Sequence, residues 1–259
     1  MLLLEEIFKT KKIQQSDEFN LRIHRGLSWL KQAFLLDHDP DLQFISLWIS
    51  FNAIYAQDLG QSQDKQSLRQ FLHLICQHDV DHRIYSILWD KFSQAIRMLL
   101  DNQYTYQGYW DYQNKKIGLE VCKAQLEQEK KKVAKALQQK HSVDILLVLF
   151  NRLYTLRNQL MHGGSTYKSS LNRKQLQDGC QILSALLPAF LYIALENADS
   201  LDLGKPFTQW LRSVSAQNEV PKQKDSLLSK LSFLRVKQYH VFCYTGYLAE
   251  QRHPPSSPV

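Results

Sequence analysis

An all-α helical bundle is the fold this sequence predicts, and three observations predict it. Apolar residues recur at spacings of three and four through almost every informative segment, which is the helical period and not the alternation of a strand. Ser, Asp and Gly stand where those patterns begin and end, as capping residues do. Only 9 glycines and 7 prolines punctuate 259 residues, of which 44% are apolar, so the chain is too ordered in composition for a disordered or fibrous protein.

The elements follow in order. Phe19, Ile23, Leu27, Leu30 and Phe34 form the stripe of a first long helix from Asp17 to Leu36, with Ser16 suited to its N-cap. Asp37-His38-Asp39-Pro40 breaks that helix and starts the next, because proline is preset for a first turn and aspartate accepts its free amides. Phe44, Leu47, Trp48, Phe51, Ile54 and Tyr55 line the second helix. Residues 60–65 are a polar linker, followed by helical patterns at 66–77 and 82–102 and an aromatic loop at 102–114 in which Gly108 marks a turn. From Lys115 to Lys140, eight lysines against three glutamates predict a solvated helix with a basic face.

Leu146, Leu149, Phe150, Leu153, Leu156 and Leu160 form the densest core stripe in the chain, over 142–162, and Gly163-Gly164 stops that helix. A last long helix at 172–197 contains Pro188, which predicts a kink or break near residue 187. Short helices near 206–215 and 223–231 and a strand-like segment at 235–248 complete the pattern, with a frayed end. The domain organisation is therefore a helical domain over 1–199 and a C-terminal extension over 200–259. Within the former, bundle helices at 17–57 and 142–197 flank a helical insertion at 64–140.

The composition excludes several classes of protein. The N-terminal MLLLEEIFKTKK lacks the cationic start and long apolar region of a signal peptide, and the apolar run 186–195 is about half the ~20 residues of a membrane span. Cys76, Cys122, Cys180 and Cys243 are widely spaced and contain no C-x-x-C pair, so they read as reduced core thiols of a cytoplasmic protein. A net charge of +7 favours a polyanionic partner. No P-loop, G-x-G-x-x-G, H-E-x-x-H or G-x-S-x-G pattern is present, and no cofactor or metal is expected. His78 and His82, four apart among Asp79 and Asp81, lack a third metal ligand and read as a helix junction capped by aspartate.

One constellation points to chemistry. In Leu156-Arg157-Asn158-Gln159-Leu160-Met161-His162-Gly163-Gly164, Asn158 and His162 share a helix face, and Arg157 is long enough to bend toward them. A guanidinium, an amide and an imidazole then converge where the chain turns. Such a group suits RNA cleavage: arginine stabilises charge on the phosphate as the ribose 2′-hydroxyl attacks, and histidine exchanges protons with the attacking or leaving oxygen. Earlier in the chain, Lys130, Lys131 and Lys132 would track an RNA backbone, and Tyr109 and Trp110, upstream of them, would stack unpaired bases.

R-N-x-x-x-H at the end of an apolar helix resembles the R-x4-H signature of the HEPN superfamily. The second helix, Leu47-Trp48-Ile49-Ser50-Phe51-Asn52-Ala53-Ile54-Tyr55, is similar to the W-x-x-F-N-A-L-Y-type helix of several prokaryotic HEPN groups. The resemblance covers the four bundle helices and implies a HEPN-like bundle that dimerises across the motif to form one ribonuclease cleft. It also implies a role in toxin-antitoxin, phage-defence or RNA-processing systems, with a cognate antitoxin or inhibitor protein as a partner. Carried over, Arg157 would stabilise the phosphate, Asn158 would hold the pair in place and His162 would do acid-base chemistry, without a metal. Where toxins paired with a nucleotidyltransferase carry a tyrosine two residues beyond the histidine, this chain has Gly164. The alternative is a non-catalytic helical module that binds RNA, nucleotide or a partner protein.

Overall fold

A computed structural model describes residues 1–57, 64–170 and 172–206. The fold is all-α. Among the described residues ten α-helices run in chain order: α1 Leu2–Lys11, α2 Asp17–Leu35, α3 Pro40–Tyr55, α4 Asp64–Gln77, α5 Arg83–Ser86, α6 Ser93–Asp101, α7 Gln107–Gln113, α8 Leu119–Gln138, α9 Ser142–Met161 and α10 Arg173–Glu196. Among the described residues there is no strand, only an isolated antiparallel bridge between Gln57 and Pro206.

The capping residues read from the sequence act as such. Ser16 accepts a hydrogen bond from the Phe19 amide, and Asp39 accepts one from the Leu42 amide, with Pro40 in the first turn of α3. Each bond satisfies an amide that a helix start leaves without a partner. Helix α3 is apolar almost all round, as a central element must be. It packs between α2, α10 and α9, where Phe51 stacks on Phe150 with ring centroids 4.2 Å apart and meets Phe190 and Phe71 on its other sides. Gly26 of α2 allows the close approach: a Cβ there would lie 2.9 Å from Ile54 Cγ1 and 3.3 Å from Leu191 Cδ2.

A buried arginine fastens the chain past α10 to this core. Arg22 donates to the carbonyls of Ile54 (2.7 Å) and Ala56 (2.9 Å) at the end of α3, and to those of Leu203 and Gly204 (both 3.0 Å). Burial pulls its pKa down to about 10 against the opposing fields of Asp202 and Glu18. Leu201 and Leu203 are buried beside it, so bundle packing continues to at least residue 206.

Several expectations are corrected. An N-terminal helix, α1, precedes the first helix that the sequence pattern predicts; its Leu4 is buried and Lys11 pairs with Glu196 at 3.0 Å. The single helix expected over 82–102 is broken into α5, a π-helical turn at Ile87–Lys91, and α6. The 102–114 segment is not a loop but a 3₁₀ turn at Gln103–Thr105 followed by α7. Gly108 lies inside α7, where it makes room for the Tyr106 ring, whose Cε1 would be 2.5 Å from an added Cβ. Pro188 does not interrupt α10, which runs unbroken from Arg173 to Glu196. That helix is covered by α2, α3 and α1, and its buried apolar side chains outweigh one backbone bond lost to proline. It is also the one described helix long and apolar enough to cross a bilayer, but 72% of its most apolar stretch is buried within the bundle.

Cys122 and Cys180 are buried free thiols and Cys76 is half-buried; burial raises the thiols of Cys76 and Cys180 to about 12. At the helix junction Asp79 accepts hydrogen bonds from the amides of Arg83 and Ile84, both at 2.8 Å, so it caps α5. The elements expected at 206–215, 223–231 and 235–248 lie outside the described residues.

Candidate functional site

Helix α9 presents its apolar stripe, Ile145, Leu146, Leu149, Phe150, Leu153 and Leu156, to the core and its other face to solvent. It ends where the sequence places the stop. His162 is the C-cap, its amide donating to the carbonyl of Asn158 at 3.1 Å, and Gly163 follows with φ +69°, the left-handed conformation that glycine adopts without strain.

Two of the three motif side chains meet. Arg157 Nη1 donates to Asn158 Oδ1 at 3.0 Å, so the guanidinium bends across the helix toward the Asn158 face. Among the described residues no helix-end carbonyl accepts a hydrogen bond from Arg157. Arg157 and Asn158 are half-buried; Arg157 Nε is buried without a hydrogen-bond partner, and the guanidinium lies 5.9 Å over the Tyr154 ring. His162, one turn beyond Asn158 on the same face, is exposed, and its imidazole makes no hydrogen bond to the described residues.

The Trp48 ring of α3 lies 6.1 Å from the Tyr154 ring, so the W-x-x-F-N-A helix supports the aromatic platform under Arg157. The surface around that platform carries exposed apolar side chains, Tyr154 and Met161 on α9.

Beyond the glycines the chain returns to the start of α3. The Tyr167 hydroxyl donates to the Asp39 carboxylate, and Arg173 Nη1 pairs with Asp41 Oδ2 at 2.5 Å. The Tyr167 bond, with the Leu42 and Asp41 amides, holds the Asp39 carboxyl below the usual carboxylate range despite burial. Tyr167 thus fixes the turn and is committed to Asp39. Gln159 bridges the other side, donating to the Tyr104 carbonyl at 3.1 Å and accepting from Asn172 Nδ2 at 3.0 Å.

The residues expected to bind substrate separate. Lys130, Lys131 and Lys132 are all exposed on α8, but only Lys132 faces a groove of about 800 Å³ between α4, α8 and α9. Tyr109 and Trp110 are half-buried against Tyr104: Tyr109 meets the Tyr104 and Trp110 rings edge-on at 5.3 Å, and Trp110 Nε1 donates to the Tyr104 carbonyl at 2.8 Å. Sequence reasoning missed Arg152. It is buried on α9, donates to the Leu100 carbonyl at 3.1 Å and to the Glu129 carboxylate, and lies 4.8 Å over Tyr106. A charged residue inside a helix stripe gives no sign of burial, and its partners are 23 and 52 residues away.

Comparison of the chain with protein-family models, curated proteins and solved structures gives no match.

Proposed function

We propose that the chain is a cytoplasmic, metal-independent endoribonuclease of HEPN type that works as a homodimer, with Arg157, Asn158 and His162 as its catalytic group. The observation that carries this reading is the Arg157–Asn158 hydrogen bond, with His162 one turn along the same solvent-facing side. The bond fixes a cation at the surface, where it can meet a phosphate, and leaves the imidazole free to reach an oxygen of the same group.

The reaction uses only groups of the chain and the RNA. The ribose 2′-oxygen attacks phosphorus, the bond to the 5′-oxygen breaks, and the products end in a 2′,3′-cyclic phosphate and a 5′-hydroxyl. Arg157 holds the extra negative charge that builds on the phosphate oxygens, and Asn158 keeps its guanidinium in place. His162 delivers a proton to the departing 5′-oxygen. The same step needs a base for the 2′-hydroxyl, and one chain supplies one imidazole here; a second copy across the exposed Tyr154 and Met161 surface supplies the other. This surface also suits an inhibitor or antitoxin that separates the two copies.

The test is cleavage of RNA containing single-stranded and paired regions by purified protein in excess EDTA, comparing wild type with Arg157→Ala and His162→Ala, each checked for folding. Wild type should cut, and either substitution should slow cutting by about 10²–10³-fold or more. RNA bound but left intact by wild type would favour the binding-module reading, and equal cutting by all three would place the chemistry elsewhere.

A further inference from the structure

The groove between α4, α8 and α9 has a distribution of charge that the proposed catalytic group does not use. Along α8 its lining recurs at helical spacing, from Gln125 and Gln128 through Lys132 and Lys135 to Gln139, a stretch of about 21 Å at 1.5 Å per residue. Arg69 of α4 faces the same space. Arg69, Lys132 and Lys135 are exposed and have no ion-pair partner among the described residues. The two acids in the lining are occupied: Glu129 holds Arg152, and Asp144 accepts from His141 at 2.8 Å. The remaining charge in the groove is cationic. Its floor is aliphatic, with Val133, Leu147 and Val148 half-buried.

The groove is aligned with the motif. Asn151 of α9 lines it, and eleven residues separate Asn151 from His162. Eleven residues are about three full turns, so the two side chains share one face of α9 within about 20° and lie about 16 Å apart along its axis. At about 3.4 Å per stacked nucleotide, that distance is about five nucleotides of single strand.

We propose that this groove is a binding site for the sugar-phosphate backbone of single-stranded RNA, with Arg69, Lys132 and Lys135 on phosphates and the bases over the aliphatic floor. A groove this long suits an extended polyanion better than one phosphate, and amide side chains such as Gln128 and Asn151 supply donors for phosphate and ribose oxygens. The proposal rests on the ribonuclease reading only for what the strand reaches at its far end.

The experiment is fluorescence anisotropy of a labelled 20-nucleotide oligouridine titrated with full-length protein. All variants carry His162→Ala so that cutting plays no part. Arg69→Gln/Lys132→Gln/Lys135→Gln is compared with Lys9→Gln/Lys12→Gln/Lys115→Gln, which removes equal charge outside the groove. Three single-strand phosphate contacts give a salt slope of about −2, so losing them should weaken binding about 100-fold at 0.1 M salt and reduce the slope by about 2. The control should change by less than about threefold. Equal losses in the two triple variants, no binding by the parent, or equal competition by polyglutamate would overturn the assignment. Wild-type cleavage that depends on His162 while the groove variant binds normally would defeat the groove alone; selective loss of binding in a protein that never cuts would defeat the ribonuclease alone.

Discussion

Arg152→Met tests how α8 is held against the motif helix. Wild-type Arg152 is 2% exposed, and its guanidinium donates to the Leu100 carbonyl at 3.1 Å and to the Glu129 carboxylate and lies over Tyr106. Burial lowers the Arg152 pKa and the Glu129 charge opposes that shift, so the pair balances a desolvation cost against a close attraction. Methionine keeps the aliphatic stem and removes every donor. Breaking a buried pair costs about 3–5 kcal/mol, and because the Glu129 side chain is 23% exposed and can recover some water, we expect the low end, about 3 kcal/mol. In urea, with a slope of about 2.5 kcal/mol/M, the midpoint should fall by about 1.2 M, and Tm should fall by about 9 °C. Arg152→Met/Glu129→Leu should return to within about 1 kcal/mol of wild type, since an apolar pair leaves no stranded charge. A single-variant loss under about 1 kcal/mol, or a double variant whose cost equals the sum of the two singles, would refute the reasoning.

Two further predictions concern the frame of the site. Tyr167→Phe removes the hydroxyl that depresses Asp39, whose folded pKa lies below its unfolded value. That stabilisation is present above the unfolded aspartate pKa, about 4, and is lost as pH falls through the folded value. Wild type should therefore lose more stability than Tyr167→Phe on acidification below about pH 4, read from urea midpoints; parallel curves would exclude the coupling. Gly26→Ala should destabilise by about 1–3 kcal/mol because its Cβ would meet Ile54 and Leu191, despite better helix propensity; a stabilised variant in thermal unfolding would show that α2 and α3 can separate freely.

The local parts of this molecule were legible in the sequence. Ser16, Asp39 and Gly163 lie within a few residues of the backbone groups they serve, so the boundaries of α2, α3 and α9 followed from short patterns. The Arg157–Asn158 bond joins neighbours and was legible for the same reason. Contacts between distant residues left little local trace. Asp39 and Tyr167 are 128 residues apart, and the four carbonyls around Arg22 come from two remote segments. The run Lys130-Lys131-Lys132 spreads over about 200° of α8, all of it exposed, so only the packing of α4 and α9 distinguishes Lys132. The aromatic segment before α8 looked like a loop because of Gly108. That glycine is needed for the approach of Tyr106, a reason that depends on packing and not on a turn.

The most direct measurement of the central claim uses an RNA cut by the wild-type protein, resynthesised with a single 2′-deoxy nucleotide on the 5′ side of the cut. The account predicts that cleavage at that bond stops while binding is unchanged, and that the all-ribose RNA yields 2′,3′-cyclic phosphate and 5′-hydroxyl ends only when Arg157 and His162 are intact. Cleavage that continues at the deoxy position, or that leaves a 5′-phosphate, would contradict attack by the ribose 2′-hydroxyl and the roles given to both residues.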